Sequence, residues 1–154
     1  MQKIAWFTEG GWTGKIPRNH PSMRNDSAWM CVLDATHYPI WKVHEVQEKY
    51  DIGIVTLPKA NIDKLSQYPL IENLKKCCNK IAYMQEGPHW YFQDYPLEHQ
   101  IWFYNTLMEM DVIFAHNQID VEYYKGLTGK ENVFQNKSLM IEDKIEPHIV
   151  NTDA

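Results

Sequence analysis

Residues 80–117 constrain the fold more than any other stretch. Ile81, Ala82, Tyr83 and Met84 form a short apolar run that halts at Gln85-Glu86-Gly87-Pro88. A run bounded in this way by turn residues predicts a buried strand. Pro96 is placed to open a helix, where its missing N–H costs nothing, with Asp94 as a candidate cap. Leu97, Ile101, Tyr104 and Met108 then fall on one face at helical spacing. Residues 112–115 are the next apolar run, and strand, helix, strand in that order predicts two parallel strands. Ligands of open α/β sheets sit beyond the carboxyl ends of the strands. Those ends carry Gln85, Glu86, Gly87 and His89 and, one strand later, His116 and Asn117, so chemistry is expected there.

The same alternation runs through the rest of the chain. Residues 4–7 read as a first strand that enters a loop holding Gly10, Gly11, Thr13 and Gly14-Lys15. Glycines let backbone N–H groups approach a ligand closely. The loop lacks a dinucleotide fingerprint, and Ile16 and Glu9 stand where a phosphate-binding P-loop needs Ser or Thr and its first Gly. Residues 16–25 form an extended loop with Arg18, His20 and Arg24, of which the arginines suit bidentate phosphate or carboxylate binding. Asn25 or Asp26 is expected to cap a helix with Ala28, Val32 and Ala35 on its apolar face, ending before Thr36-His37-Tyr38-Pro39. Further helical turns are expected around Ile40, Val43 and Val46, which makes the first crossover a broken helix.

A second strand is expected over 52–57, a helix opened by Pro69, and, after Asn117, a helix stopped by Gly126 or Gly129. A further strand is expected at 132–134, and 138–145 is ambiguous. These elements predict an α/β fold: a Rossmann-like three-layer sandwich with a mostly parallel sheet of four to five strands over residues 1–145, and a loose tail over 146–154. Short strands without alternation imply that both sheet faces are covered.

Composition narrows the function. A length of 154 residues fits one domain with its own core. The net charge of −5 argues against a nucleic-acid protein held by phosphate contacts, leaving nucleic acid open only as an acceptor. Three cysteines, two of them adjacent, read as reduced thiols. No signal-peptide pattern or membrane-length apolar run occurs, so a soluble cytoplasmic protein is expected. No His, Asp or Glu cluster has metal-ligand spacing, and no metal is expected. Glu86 and His89 are the candidate acid–base residues, since histidine titrates near neutrality and a carboxylate can orient it. His99 is expected on a helix surface with no role.

Together, the segments Lys3-Ile-Ala-Trp-Phe, Gly10-Gly11, 80–87 and 110–116 resemble the N-terminal Rossmann-like domain of GT-B glycosyltransferases, in particular a phage-type sugar-transferase branch. The resemblance covers residues 3–145. It implies transfer of a sugar from a nucleotide-sugar to a hydroxyl acceptor, with the nucleotide-sugar as co-substrate and no other cofactor. It implies that Gly10 and Gly11 lie by the donor phosphates and that Glu86 or His89 borders the acceptor hydroxyl. Such enzymes are about twice this size, so a second Rossmann-like domain or subunit is expected to hold the donor, and the isolated chain is not expected to be fully active. The alternative is a stand-alone, non-enzymatic α/β module that binds a partner or ligand through the same crevice or through Trp90-Tyr91-Phe92.

Overall fold

A computed structural model describes residues 2–21, 23–58, 60–89, 93–139 and 141. Six strands form one sheet: β1 (Ile4–Thr8), β2 (Thr36–Pro39), β3 (Tyr50–Val55), β4 (Cys78–Met84), β5 (Val112–Ala115) and β6 (Val133–Gln135). Their order is β2-β1-β3-β4-β5-β6, and every pairing is parallel. The α/β sandwich is as the sequence predicts, with one strand more than expected.

The additional strand is β2. Thr36-His37-Tyr38-Pro39 is an edge strand paired only with β1, and the 3-10 turns at Ile40–Glu45 belong to the next crossover, from β2 to β3. The chain thus steps outward from β1 to β2 and then returns past β1 to β3. That reversal makes β1 and β3 the topological switch point, where a crevice opens at the carboxyl edge.

Period-2 alternation divides the strand side chains between two faces. Ala5, Phe7, Val55, Ile81, Tyr83 and Ile113 share one core with Ile40 and Val43 of the 3-10 turns. The helices α2 (Ile62–Leu65), α3 (Leu70–Cys77), α4 (Leu97–Met108) and α5 (Gln118–Thr128) add Leu65, Leu74, Leu107 and Tyr124 to it. Gly53 lies on this face, and a Cβ there would stand 2.5 Å from Cys78 Sγ, so β3 accepts no side chain at that point. Trp6, Ile54, Ala82 and Met84 point the other way, where α1 (Asn25–Val32) supplies Met30.

Both faces are covered, as the sequence predicts, but unevenly. On the α1 side Ile4, Ile52, Val112 and Phe114 are only partly buried and line an apolar groove of about 490 Å³.

Helix α4 buries a different face from the one expected, and the expected face of α1 holds at Ala28 and at Ala35 just beyond the helix but not at Val32. In α4 the buried residues are Phe103, Thr106 and Leu107, while Leu97, Ile101, Tyr104 and Met108 are exposed. In α1 Ala28 and Met30 are buried and Val32 is exposed. The helix starts also differ: Arg24 precedes α1 and Pro96 precedes α4, neither with a side-chain cap. Gly129, at φ 71, ends α5, and Gly126 lies within it. All three cysteines are free thiols. Among the described residues no helix is long and apolar enough to cross a membrane. The tail over 146–154 and Trp90-Tyr91-Phe92 lie outside the described residues.

Candidate functional site

Two polar hubs organise the carboxyl edge. The first ties down the loop after β1. His37, fully buried in β2, donates from Nδ1 to the carbonyl of Trp12 at 2.8 Å and meets Thr8 Oγ1 through Nε2 at 2.7 Å. A carbonyl can only accept, so Nδ1 carries the proton and Nε2 of the neutral ring accepts from the threonine hydroxyl. Burial lowers the His37 pKa below its ordinary 6.5, against opposing contributions from the Trp12 carbonyl and the Asp26 charge. Thr8 Oγ1 accepts in turn from Gly10 N–H at 3.1 Å. Trp12 stacks on the imidazole with centroids 3.9 Å apart, and Gly14 and His37 exchange backbone bonds of 2.9 and 2.8 Å.

The second hub joins the ends of β4 and β5 to α5. Gln85 is buried at the end of β4. Its Nε2 donates to Asp120 Oδ2 at 2.7 Å and to the Gly87 carbonyl at 2.9 Å, and its Oε1 accepts from His116 N–H at 2.8 Å. Carboxylate and carbonyl oxygens only accept here, and a backbone N–H only donates, so these partners fix the amide orientation. Gly87 adopts φ 71, a left-handed turn suited to glycine, which brings His89 back toward the sheet edge. His89 Nδ1 lies 2.6 Å from Asp120 Oδ1.

Asp120 is buried in the first turn of α5, where Asn117 Oδ1 caps its N–H at 2.8 Å. The positive end of the helix dipole favours a carboxylate there.

Glu86 lies between the hubs, on the rim shared by two clefts. One, of about 540 Å³, is lined by Glu9, Asp63, Glu86, Tyr95 and His99 among others. The other, of about 200 Å³, brings together Arg24, Asp26, Gln85, Glu86, Gly87 and His116. Desolvation raises the Glu86 pKa above its ordinary 4.5, the Asp26 and Glu9 charges add to the rise, and Arg24 opposes it. The crevice is therefore rich in acceptors, with one guanidinium. Carboxylates arranged in this way receive hydrogen bonds from hydroxyls and repel phosphates. Among the described residues no three His, Cys, Asp or Glu side chains are grouped to hold a metal ion.

The structure gathers Arg24, Gln85, Glu86, Gly87 and His116 around one cleft. It does not bring Glu86 and His89 to the same one: His89 faces a small cleft on the α4–α5 side with Gln93, Gln100, Phe103, Tyr104, Tyr123 and Leu127. Asn117 acts as the cap of α5. Gly10 and Gly11 follow β1, with Gly11 and Thr13 exposed, and Arg18 is an exposed residue of the following loop.

Sequence reasoning missed His37 and Asp120. Asn117-x-x-Asp120 is a helix-capping spacing and carried a signal for the second; nothing local marks the first. His99, expected on the surface, is largely buried: its Nε2 lies 2.9 Å from Asp63 Oδ1, and its buried Nδ1 has no partner among the described residues.

Fold and crevice together define a doubly wound α/β domain with an acidic crevice at its carboxyl edge. Comparison of the chain with protein-family models, curated proteins and solved structures finds no match in any of the three.

Proposed function

We propose that this chain is the acceptor-side domain of a GT-B-like, cytoplasmic glycosyltransferase that works with a second Rossmann-like domain or subunit carrying the nucleotide-sugar. The observation that supports this most is the carboxylate-lined crevice around Glu86, at the switch-point edge of the sheet. An acceptor rich in hydroxyls donates to such a surface, whereas a donor diphosphate is better held elsewhere. In the reaction, a base on this domain takes the acceptor hydroxyl proton as its oxygen bonds to the anomeric carbon. The sugar–phosphate C–O bond breaks, and its electron pair leaves with the nucleoside diphosphate. Glu86 and His89 are the candidate bases.

The test is chemical-shift mapping of the labelled chain with a panel of neutral saccharides and, separately, nucleotide-sugars. Saccharide-induced shifts are expected at Arg24, Glu86 and His116 if the acceptor lies in the Glu86 crevice, or at His89 and Tyr123 if it lies in the His89 cleft, with weaker effects from nucleotide-sugars in either case. Nucleotide-sugar binding with no saccharide response would overturn the acceptor-side reading.

A second reading is a non-enzymatic binding module. It is favoured by the apolar groove on the α1 side of the sheet and by the exposed Leu97, Ile101, Tyr104 and Met108 of α4. Such a module would bind a partner through those surfaces and leave the crevice silent in the saccharide panel.

A further inference from the structure

We propose that Asp120 is a positioning residue that holds His89 as the proton-accepting group of this domain, with imidazole Nε2 as the reactive atom. The proposal deepens the transferase reading and rests on it for the identity of the reaction. Its geometry stands separately.

Asp120 is buried, and both of its carboxylate oxygens are engaged. Oδ2 receives Gln85 Nε2 at 2.7 Å and Asn117 Nδ2 at 3.3 Å, and Oδ1 receives His89 Nδ1 at 2.6 Å. The carboxylate therefore cannot turn away from the ring. An acceptor at Nδ1 fixes the proton on that nitrogen and leaves the Nε2 lone pair free. No described residue bonds Nε2. The His89 side chain is 30% exposed, against 7% for Asp120, so one partner is sealed in and the other meets solvent. A positioned imidazole with a buried carboxylate behind it is the arrangement by which a neutral histidine takes a proton from a hydroxyl and is stabilised as the cation forms. Among the described residues the Glu86 carboxylate has no such orienting partner.

The surroundings limit what reaches Nε2. The His89 ring leans on Tyr123 with centroids 4.6 Å apart, and the cleft it faces is bounded by Phe103, Tyr104, Gln93 and Gln100. Its volume is about 80 Å³. That is room for a few water molecules at roughly 30 Å³ each. A cleft of that size takes one hydroxyl or hydroxymethyl group at the end of an acceptor. Aromatic rings and side-chain amides suit such a group, the rings packing on its C–H bonds and the amides pairing with the oxygen.

The experiment needs no donor sugar. Nitrogen-15 NMR of the imidazoles in the whole chain above neutral pH reads the tautomer of each histidine. Diethyl pyrocarbonate, which acylates the unprotonated ring nitrogen, reads its availability. His89 is expected as the Nδ1–H form and to be acylated several-fold faster than the exposed His44 and His116. Asp120→Asn, whose amide cannot accept from both Gln85 and His89, is expected to bring the His89 rate down to that of His116. Methyl glycosides at millimolar concentration are expected to protect His89.

An Nε2–H tautomer in the unsubstituted chain would overturn the proposal without any variant, so it remains testable if Asp120→Asn fails to fold. A rate unchanged in a folded Asp120→Asn chain would overturn it equally. Absence of glycoside protection would overturn the hydroxyl-group assignment of the cleft. Failure of sugar transfer with a donor-binding partner, alongside the expected tautomer and rates, would instead overturn the transferase reading and leave the Asp120–His89 assignment standing.

Discussion

The two ends of the sheet's carboxyl edge each hold a histidine, and the two are used differently. His37, at the β1–β2 end, is buried with both nitrogens engaged, one by the Trp12 carbonyl and one by the Thr8 hydroxyl. His89, at the β4–β5 end, engages one nitrogen with a buried carboxylate and turns the other side of its ring to a cleft. A neutral donor and a neutral acceptor make a lock that holds a loop. A carboxylate on one side alone makes a group that can take a proton. The chemical difference thus lies in the partners rather than in the imidazole.

The largest effect should come from the carboxylate that distinguishes the two ends. Asp120→Ala removes the acceptor for Gln85 and His89 and leaves one of the two N–H groups of the buried Gln85 amide without its partner, so a loss of about 3 kcal/mol is expected. Urea denaturation measures it, and a loss well under ~1 kcal/mol would mean that the hub is not structural. His37→Ala comes next. It empties a buried site and leaves one acceptor, the Trp12 carbonyl, and one donor, the Thr8 hydroxyl, without their partner, for a cost of about 2 kcal/mol. His89→Ala, at a partly exposed position, should cost less than ~1 kcal/mol in the same titration. Equal losses for the two histidines would erase the distinction between lock and reactive group.

Proton linkage separates the ends further, with a smaller effect. The folded-state pKa of His37 lies below its ordinary 6.5, so the unfolded chain binds its proton first. Its contribution to stability is complete above 6.5 and is lost as the pH falls toward the lowered folded value. His37→Gln should flatten that part of the pH–stability curve, and an unchanged slope would show that the ring is not held neutral. The smallest effect belongs to Glu86, whose side chain reaches solvent and whose pKa is raised mainly by desolvation. Its contribution is present below 4.5 and is lost as the pH rises through the folded value. Glu86→Gln should therefore gain slightly in melting temperature relative to the parent at pH 7 compared with pH 4. The opposite sign would mean that Arg24 dominates its surroundings.

Much of the crevice was legible before the structure. The loop after the apolar run at 81–84 drew attention to Gln85, Glu86, Gly87 and His89, because a strand that ends in polar residues and a turn presents them at the sheet edge. His116 is a candidate for the same reason, and Arg24 because a guanidinium suits bidentate phosphate or carboxylate binding. Asp120 was less visible because a short acidic residue in a first helical turn reads as ordinary helix capping. Only its burial against Gln85 and His89 gives it further meaning. His37 was hidden because Thr36-His37-Tyr38-Pro39 is too short and too polar to announce a strand. It becomes one by pairing with β1 alone. The face of α4 was misread because its apolar residues run around most of the helix. Leu97, Ile101, Tyr104 and Met108 have helical spacing, but so do Phe103 and Leu107, and it is the latter pair that meets the sheet.

The sequence by itself determined the alternation of strands and helices, the parallel sheet and the position of the loops at its carboxyl edge. These follow from local apolar runs, turn residues and the short reach of a crossover. Tertiary structure alone decided which histidine is held through both nitrogens and which through one, that Glu86 and His89 face different clefts, and that one sheet face is thinly covered. Each of these depends on side chains separated by tens of residues in the chain, and no local periodicity encodes the partner across that gap.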